Sequence, residues 1–450
     1  MEITVELLQE MISNKQIKRL REIFDDFNIV DLAELVQELS LQDLLFLFKI
    51  LRNEITGILF SYFDSEHQET LIESFASHEI QDILDNLFSD DIAEFIEEMP
   101  ANLVKKVLIS ATAEQRKEIN LLLSYPENTA GSIMSTDFVE LKKGDTIAQA
   151  IKKIKSQGKI AETINDCYVV DGERRLVGLV ALKSILFQEA DDLIDEYMEM
   201  DFVAVKTHDD QELVAQQMQH YDLLVIPVIN EAQRFIGIIT VDDIMDVLEE
   251  EVTEDIHKMA AIRPIEDSYL QASVMGMVKS RVFWLLILMI SSTLAEHILA
   301  GYEEALATIP ALAAFIPMIM GTAGNAGSQS SVMVIREISL KEISIKDIWK
   351  VIKIETHTSL LLGIVLFGVS ILRIMILPPS VGLDIALVVS LSLIVSVLFS
   401  NVFGALLPLL AVVLKQDPAA MAGPLLTSLV DAFALIIYFT LCIGLLGIAI

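Results

Sequence analysis

The chain has 450 residues, 53 % of them apolar, with a mean hydropathy of +0.52, too high for a wholly soluble protein, so part of it lies in lipid. Lys plus Arg number 32 against 65 Asp plus Glu, a formal charge of −33; that sign excludes nucleic acid as a partner, since phosphate binding needs the opposite one. Residues 281–450 hold 8 basic and 10 acidic side chains, so −31 of the charge belongs to residues 1–280. Cys167 and Cys442 show no C-x-x-C spacing, which excludes a disulfide scaffold and a thiolate metal site. The acidic amphipathic start after Met1 does not read as a secretion signal.

From Glu2 to about Pro126 apolar residues recur at three and four, as in Ile80, Ile83, Leu84 and Leu87, with almost no glycine. This period predicts helix throughout. Asp31 to Ser40 matches Asp91 to Pro100 at an offset of 60, which stacked helix pairs of a superhelical solenoid account for. After Gly131 short β-branched runs alternate with helical ones: Asp166 to Gly172 and Arg175 to Ala181, then Leu223 to Ile229 and Phe235 to Thr240. Ile133 to Val139 aligns with Tyr197 to Val203 at an offset of 64, and Gly178 with Gly237 at 59. Two such units in tandem resemble a cystathionine-β-synthase (CBS) pair, a regulatory module that often binds adenine nucleotides. The resemblance implies that Thr240 and Asp243, in Thr240-Val-Asp-Asp243, hold a ribose; the matching Ala181-Leu-Lys-Ser184 lacks the motif. Helix capping by Thr240 is the other reading.

Asp242 to Asp255 carries eight carboxylates and no cation in fourteen positions. Like charges four apart, such as Asp242 and Asp246 or Glu251 and Asp255, each destabilise a helix by roughly 0.2–0.5 kcal/mol. A solvated face explains such a run, and so does a surface for hard divalent cations, which take carboxylate oxygens.

Five segments are long enough to span a bilayer: about 282–300, 308–334, 354–377, 383–414 and 422–449. Lys279 and Arg281, then Arg336 to Lys353, then Lys415 fall on one side, which places the N-terminus in the cytoplasm and the C-terminus outside. Pro317 to Ser330, rich in glycine and bearing Asn325 and Gln329, together with Pro408 and Pro424, is expected to interrupt three of the spans; helix packing through small residues is the other reading of the glycines. An ionisable group within a span is functional by default, because burying it in hydrocarbon is expensive. Asp431, with Thr427 and Pro424 one and two turns earlier on the same face, is that group.

An acidic helical domain, a CBS pair, an acidic helix and five spans resemble the MgtE family of magnesium channels. The motifs that carry the likeness are Thr240 to Ile244 running into Glu249 to Asp255, Arg281 to Trp284, Gly324 to Gln329 with Arg336, and Asp417-Pro-Ala419 with Gly423-Pro424 and Asp431. The resemblance implies a multidomain protein: an all-α superhelical acidic domain (1–128), a tandem α/β CBS pair (129–248), a connecting plug helix (249–276) and a five-helix transmembrane pore domain (277–450). It further implies a homodimer in the plasma (inner) membrane, spanning the bilayer several times, and no enzyme. Magnesium enters through a pore between subunits, lined by Gly321, Gly324, Asn325, Gly327, Gln329 and Pro424, with Asp431 and the Thr427 carbonyl as ion ligands. Regulatory magnesium is held by Asp90, Asp91 and Glu94, by Asp243 and Asp246, and by Glu251, Glu254, Asp255 and Asp417. ATP at the CBS pair is the further ligand it suggests. Ser328 and Ala434 depart from the family pattern, where an amide and a glycine are usual.

A divalent ion gains roughly 4.6 kcal/mol per 100 mV of inside-negative potential, so entry needs no motor, and no G-x-x-x-x-G-K-[ST] occurs. Two readings compete. A membrane magnesium or nucleotide receptor that does not transport would share the soluble half, and an intramembrane aspartyl protease would pair Asp384 with Asp431.

Overall fold

The computed structural model describes residues 3–265, 269, 272–379 and 381–448, except the side chains of Ala422 and Pro424. The chain divides into two compact units, Met1–Glu249 and Glu250–Ile450.

The first unit opens with helices α1 to α10: Val5–Ser13, Ile17–Asp26, Ile29–Gln37, Leu41–Ile50, Asn53–Ser61, Ser65–Ser74, Ser77–Leu84, Ser89–Glu97, Ala101–Ser110 and Ala113–Leu122. Their first residues stand twelve apart without exception, so the offset of 60 seen in sequence is five steps of a shorter repeat. Two features of the repeat set the helix boundaries. Residues just before a helix cap it: Thr4, Asn28, Ser40, Asp64 and Thr112, all in one phase of twelve, accept hydrogen bonds from the first turn. In a second phase, Met11, Ile23, Leu47, Leu59, Leu71, Ile83, Phe95, Val107 and Ile119 are buried in one continuous core. Helices pack mainly on their second neighbours, as α3 on α5, α5 on α7 and α7 on α9.

The same unit continues into two three-stranded sheets. In the first, β1 (Glu140–Lys142) runs parallel to β2 (Asp166–Val170), which pairs antiparallel with β3 (Leu176–Ala181); β4 (Val205–Lys206), β5 (Val225–Ile229) and β6 (Phe235–Thr240) repeat that order. Helices α11 (Ile147–Gln157), α12 (Leu182–Leu186) and α13 (Gln211–Tyr221) pack beside them. The halves interlock: Ser135, ahead of the first sheet, bridges Ile238 in the second, and Glu199 bridges Leu179 in the first. Gly237 and Gly178 admit these crossings, for a β-carbon at Gly237 would lie 2.7 Å from the Ser135 carbonyl oxygen. Tyr168 stacks on Phe235 at 4.6 Å between the halves. α14 follows at once as one helix, Val241–Met259, which carries the whole acidic run Asp242 to Asp255.

The second unit contains α15 (Val274–Gly301), the short α16 (Glu303–Thr308), α17 (Ile316–Ser339), α18 (Ile348–Ile376), α19 (Leu383–Val413) and α20 (Pro418–Leu446). Among the described residues four helices, α15, α18, α19 and α20, are long and apolar enough to cross a membrane, against the five spans expected from sequence. α17, at 24 residues, is shorter and is diluted by glycine, serine, Asn325 and Gln329, and it starts eight residues later than the span placed at 308. The interruptions expected at Pro317 to Ser330 and at Pro408 do not occur: α17 and α19 are continuous. The glycines serve close packing instead. An added β-carbon on Gly404 would overlap the Gly327 carbonyl, and one on Gly327 would overlap the Ser400 hydroxyl. Ser330 Oγ donates to the Asn401 carbonyl at 2.9 Å, and Ser400 donates to the Ala323 carbonyl. α20 likewise runs through Pro424, so the Ala420 carbonyl lacks its helical donor.

This contact predicts that Gly404→Ala separates α17 from α19 and destabilises the chain by about 1–3 kcal/mol. Gly368→Ala, where an added β-carbon meets nothing within 4 Å, leaves the melting temperature of the detergent-purified chain unchanged. Equal melting of both variants would refute the packing role.

Candidate cation sites

In the first unit α8 presents Asp90 in its first turn, α14 presents Asp243, and the loop between α11 and β2 presents Glu162. One carboxylate oxygen from each lies within 4.8 Å of the other two. Ser89 fixes the start of α8 against this corner: its N–H donates to Asp137 Oδ2 at 2.8 Å, and its hydroxyl accepts from Thr136 N at 2.8 Å. Burial, followed by the charges of Glu162, Asp243 and Asp91, pushes the Asp90 carboxyl well above its ordinary range. Burial raises Asp91 to about 6 and Glu162 to about 7, with Asp243 adding repulsion at both. Asp243 is raised too, by burial first, although Thr240 donates to it at 2.7 Å. Among the described residues no lysine or arginine forms an ion pair with Asp90, Glu162 or Asp243, and Glu162 Oε2 is buried without a hydrogen-bond partner. Oxygens in an octahedral magnesium shell stand about 3 Å apart when adjacent and about 4 Å when opposed, so these three would draw together to share one ion.

Asp91 and Glu94, expected with Asp90, instead line a neighbouring cavity of about 190 Å³ with Asp64, Ser65 and Glu98. Asp246 is exposed, one turn beyond Asp243, with Glu249 and Asp242 raising its pKa after burial. Asp243 Oδ2 accepts from both the N–H (3.3 Å) and the hydroxyl (2.7 Å) of Thr240, so the two residues of the Thr-x-x-Asp stretch are joined at the start of α14.

In the second unit the end of α14 carries Glu254, Asp255 and Lys258, with Glu251 half-buried one turn earlier. Lys258 Nζ lies 2.8 Å from Glu254 and 2.7 Å from Asp417 Oδ2. Burial, then the charge of Asp417, raises Asp255, whereas Lys258 and Arg336 oppose the shift. On α20 the Asp431 carboxylate is half-buried, and a β-carbon at Gly324 of α17 would stand 4.0 Å from its Oδ1. Thr427 is half-buried one turn before it. Gly321, Asn325 and Gln329 form an exposed stripe on α17, whereas Gly327 is buried on a different face, against α19. The Pro424 side chain falls outside the described residues. Asp384 is exposed in the first turn of α19.

Sequence reasoning missed Glu162 and Lys258. Glu162 sits in a loop without a motif, and only the fold brings it to Asp90. Lys258 left one sign, a lone cation four residues after Glu254 at the end of a carboxylate run.

Helices apolar enough for a bilayer, a CBS-type sheet pair and carboxylate clusters define a multi-pass membrane protein of divalent-cation handling. Residues 316–441 match the family of MgtE divalent cation transporters, residues 27–128 the MgtE intracellular N domain, and residues 130–191 and 194–250 CBS domains. The magnesium transporter MgtE of Thermus thermophilus is 36 % identical over 331 residues, 72 % of either chain, and that of Bacillus subtilis 35 % identical over 332 residues, 74 % of this chain and 73 % of the relative. A crystal structure of the cytosolic domain of the Mg2+ channel MgtE in complex with ATP superposes with a TM-score of 0.51 at 29 % identity, covering 54 % of this chain and 99 % of that one. The chain belongs to the MgtE family of magnesium transporters.

Because burial raises the Asp91 and Glu162 carboxyls to about 6 and about 7, above the ordinary carboxylate range of an unfolded chain, the folded state binds more protons than the unfolded one in the window between the two. Stability therefore falls as pH rises through it. The EDTA-stripped chain is predicted to melt at a higher temperature near pH 5 than at pH 7.5, and saturating Mg2+ to flatten the difference. A melting temperature that rises from pH 5 to 7.5 without cation would contradict the assignment.

Proposed function

We propose that the chain is a homodimeric channel that passes Mg2+ into the cytoplasm down its electrochemical gradient and is closed by cytosolic Mg2+. The observation that carries the reading is Asp431, a half-buried carboxylate midway along an apolar helix and facing Gly324. A charge at that depth is costly unless water or an ion reaches it. A single carboxylate per subunit suits an ion that sheds water reluctantly: two Asp431 side chains and nearby carbonyls, with Thr427 first, hold a largely hydrated Mg2+. Gly321, Asn325 and Gln329 line the same passage, with α17 as the fifth span.

The domain limits in this reading are 1–128, 129–248, 249–276 and 277–450, with the end of α14 as the plug and the helical ladder as a superhelical domain. The N-terminus is cytoplasmic and the C-terminus extracytoplasmic, in line with the basic residues between α17 and α18. Regulatory Mg2+ binds Asp90, Glu162 and Asp243, with Asp91, Glu94 and Asp246 nearby, in the first unit. In the second it binds Glu251, Glu254, Asp255 and Asp417. Occupied, these sites remove the repulsion that holds the gate open. The ATP in the related cytosolic structure, together with Thr240 and Asp243, supports a nucleotide at the CBS pair that tunes this response.

Asp431→Ala is predicted to cut Mg2+ flux into proteoliposomes about a hundredfold, the effect of losing roughly 3 kcal/mol of ion stabilisation, with Mg2+-dependent protection of the cytosolic sites retained. Undiminished flux would favour a receptor that does not transport. Neutralising Glu251, Glu254 and Asp255 together is predicted to leave currents insensitive to cytosolic Mg2+; inhibition at the native concentration would refute the gating sites.

A further inference from the structure

The last turn of α14 is seated on the starts and ends of other helices of the second unit by three contacts. Met259 packs against Ile335 of α17 and Ala419 of α20. Its carbonyl lies so close to Gly423 that an added β-carbon there would overlap it. The third contact is ionic. Asp417 divides its oxygens: Oδ1 accepts from Ala419 N at 2.7 Å and Ala420 N at 3.3 Å, capping α20, while Oδ2 takes Lys258 at 2.7 Å. Lys258 reaches Glu254 at 2.8 Å with the same ammonium, and its side chain is only 24 % exposed. One positive charge thus serves two carboxylates directly, and Asp255 stands close enough for Asp417 to repel it.

We propose that Lys258 is a tethered cation that holds the end of the connecting helix on α17 and α20 when divalent cation is scarce, occupying carboxylates that Mg2+ takes over when it is plentiful. The inference rests on the reading that Glu254, Asp255 and Asp417 bind regulatory cation. An ammonium is a single point charge with three donors, so with three carboxylates around it the lysine seats the helix weakly. A divalent ion at the same oxygens seats it firmly. The channel accordingly has a weak latch that is independent of magnesium beneath the firm magnesium-dependent one: the helix leaves its seat part of the time when magnesium is scarce, and without the lysine it leaves it more often.

The test is hydrogen exchange at the amides of residues 255–262 in the full detergent-purified chain, in EDTA and in saturating Mg2+. The native protein and Lys258→Arg are expected to be partly protected in EDTA and more strongly protected in Mg2+. Lys258→Met, which keeps the apolar stem, is expected to exchange about fivefold faster in EDTA, the effect of one partly exposed ion pair, and to recover native protection in Mg2+. Asp417→Asn, which retains a capping oxygen, loses the same protection in EDTA, and the double variant is no worse than either single one. Native protection of Lys258→Met in EDTA would overturn the proposal, as would a loss that Mg2+ does not repair or a double variant with additive losses. The EDTA arm reads the lysine with no ion bound. Failure of the gating reading shows separately, as native flux that ignores cytosolic Mg2+.

Discussion

Three carboxylates converge on one half-buried corner with no lysine or arginine ion pair among the described residues, and the first unit of the chain is organised around that imbalance. Asp90, Glu162 and Asp243 come from a helix of the ladder, a loop of the first sheet and the helix after the second sheet. Each would be more stable alone in water, and the fold holds them together regardless. Such an arrangement persists as a protonated cluster or as a metal site, and which one prevails depends on pH and on divalent cation. The proposed sensing role needs this property: a folded scaffold whose least favourable feature is relieved by the ion it measures.

The scaffold that imposes the corner is regular. A twelve-residue repeat sets the start of α8, and the Ser89, Thr136 and Asp137 contacts pin that start to the segment leading into the first sheet. The interlocked sheet pair then fixes β6, and Thr240 at its end begins α14 with Asp243 in the first turn. In the second unit the carboxylates at the end of the same helix meet a different partner. There the protein supplies its own cation, Lys258, so the two clusters differ in what fills them when magnesium is absent. Deeper in the membrane helices Asp431 faces a glycine, and the small residues that remain, Gly327, Ser330, Ser400 and Gly404, join α17 to α19.

Much of this could be read from the amino-acid order because the signals are local. The strand runs, the interlocking Gly178 and Gly237, and the carboxylate helix all announce themselves within a few residues. The offset of 60 was legible too, but the twelve-residue step beneath it was not. Its apolar phase runs through Met, Ile, Leu, Phe and Val indifferently, and its capping phase is broken by Gln16, Arg52, Ala76, Phe88 and Pro100. Glycine and proline misled in the membrane helices. The same Gly-rich pattern suits an interrupted span and a tight helix crossing, and only the neighbouring α19 decides between them. Asp90 and Asp243 could be named singly, but their meeting with Glu162 depends on a tertiary path that no spacing encodes. Hydropathy understated α17 for the converse reason: a helix that packs through small polar residues looks soluble.

On the proposed reading the carboxylates of the first unit exchange protons for magnesium. The direct measurement is proton release on titrating Mg2+ into the EDTA-stripped full chain in weak buffer. The account predicts protons released with each ion bound near pH 6.5, where the Asp91 and Glu162 carboxyls, raised to about 6 and about 7, are partly protonated, and fewer released near pH 8. Binding with no proton release at either pH would contradict it.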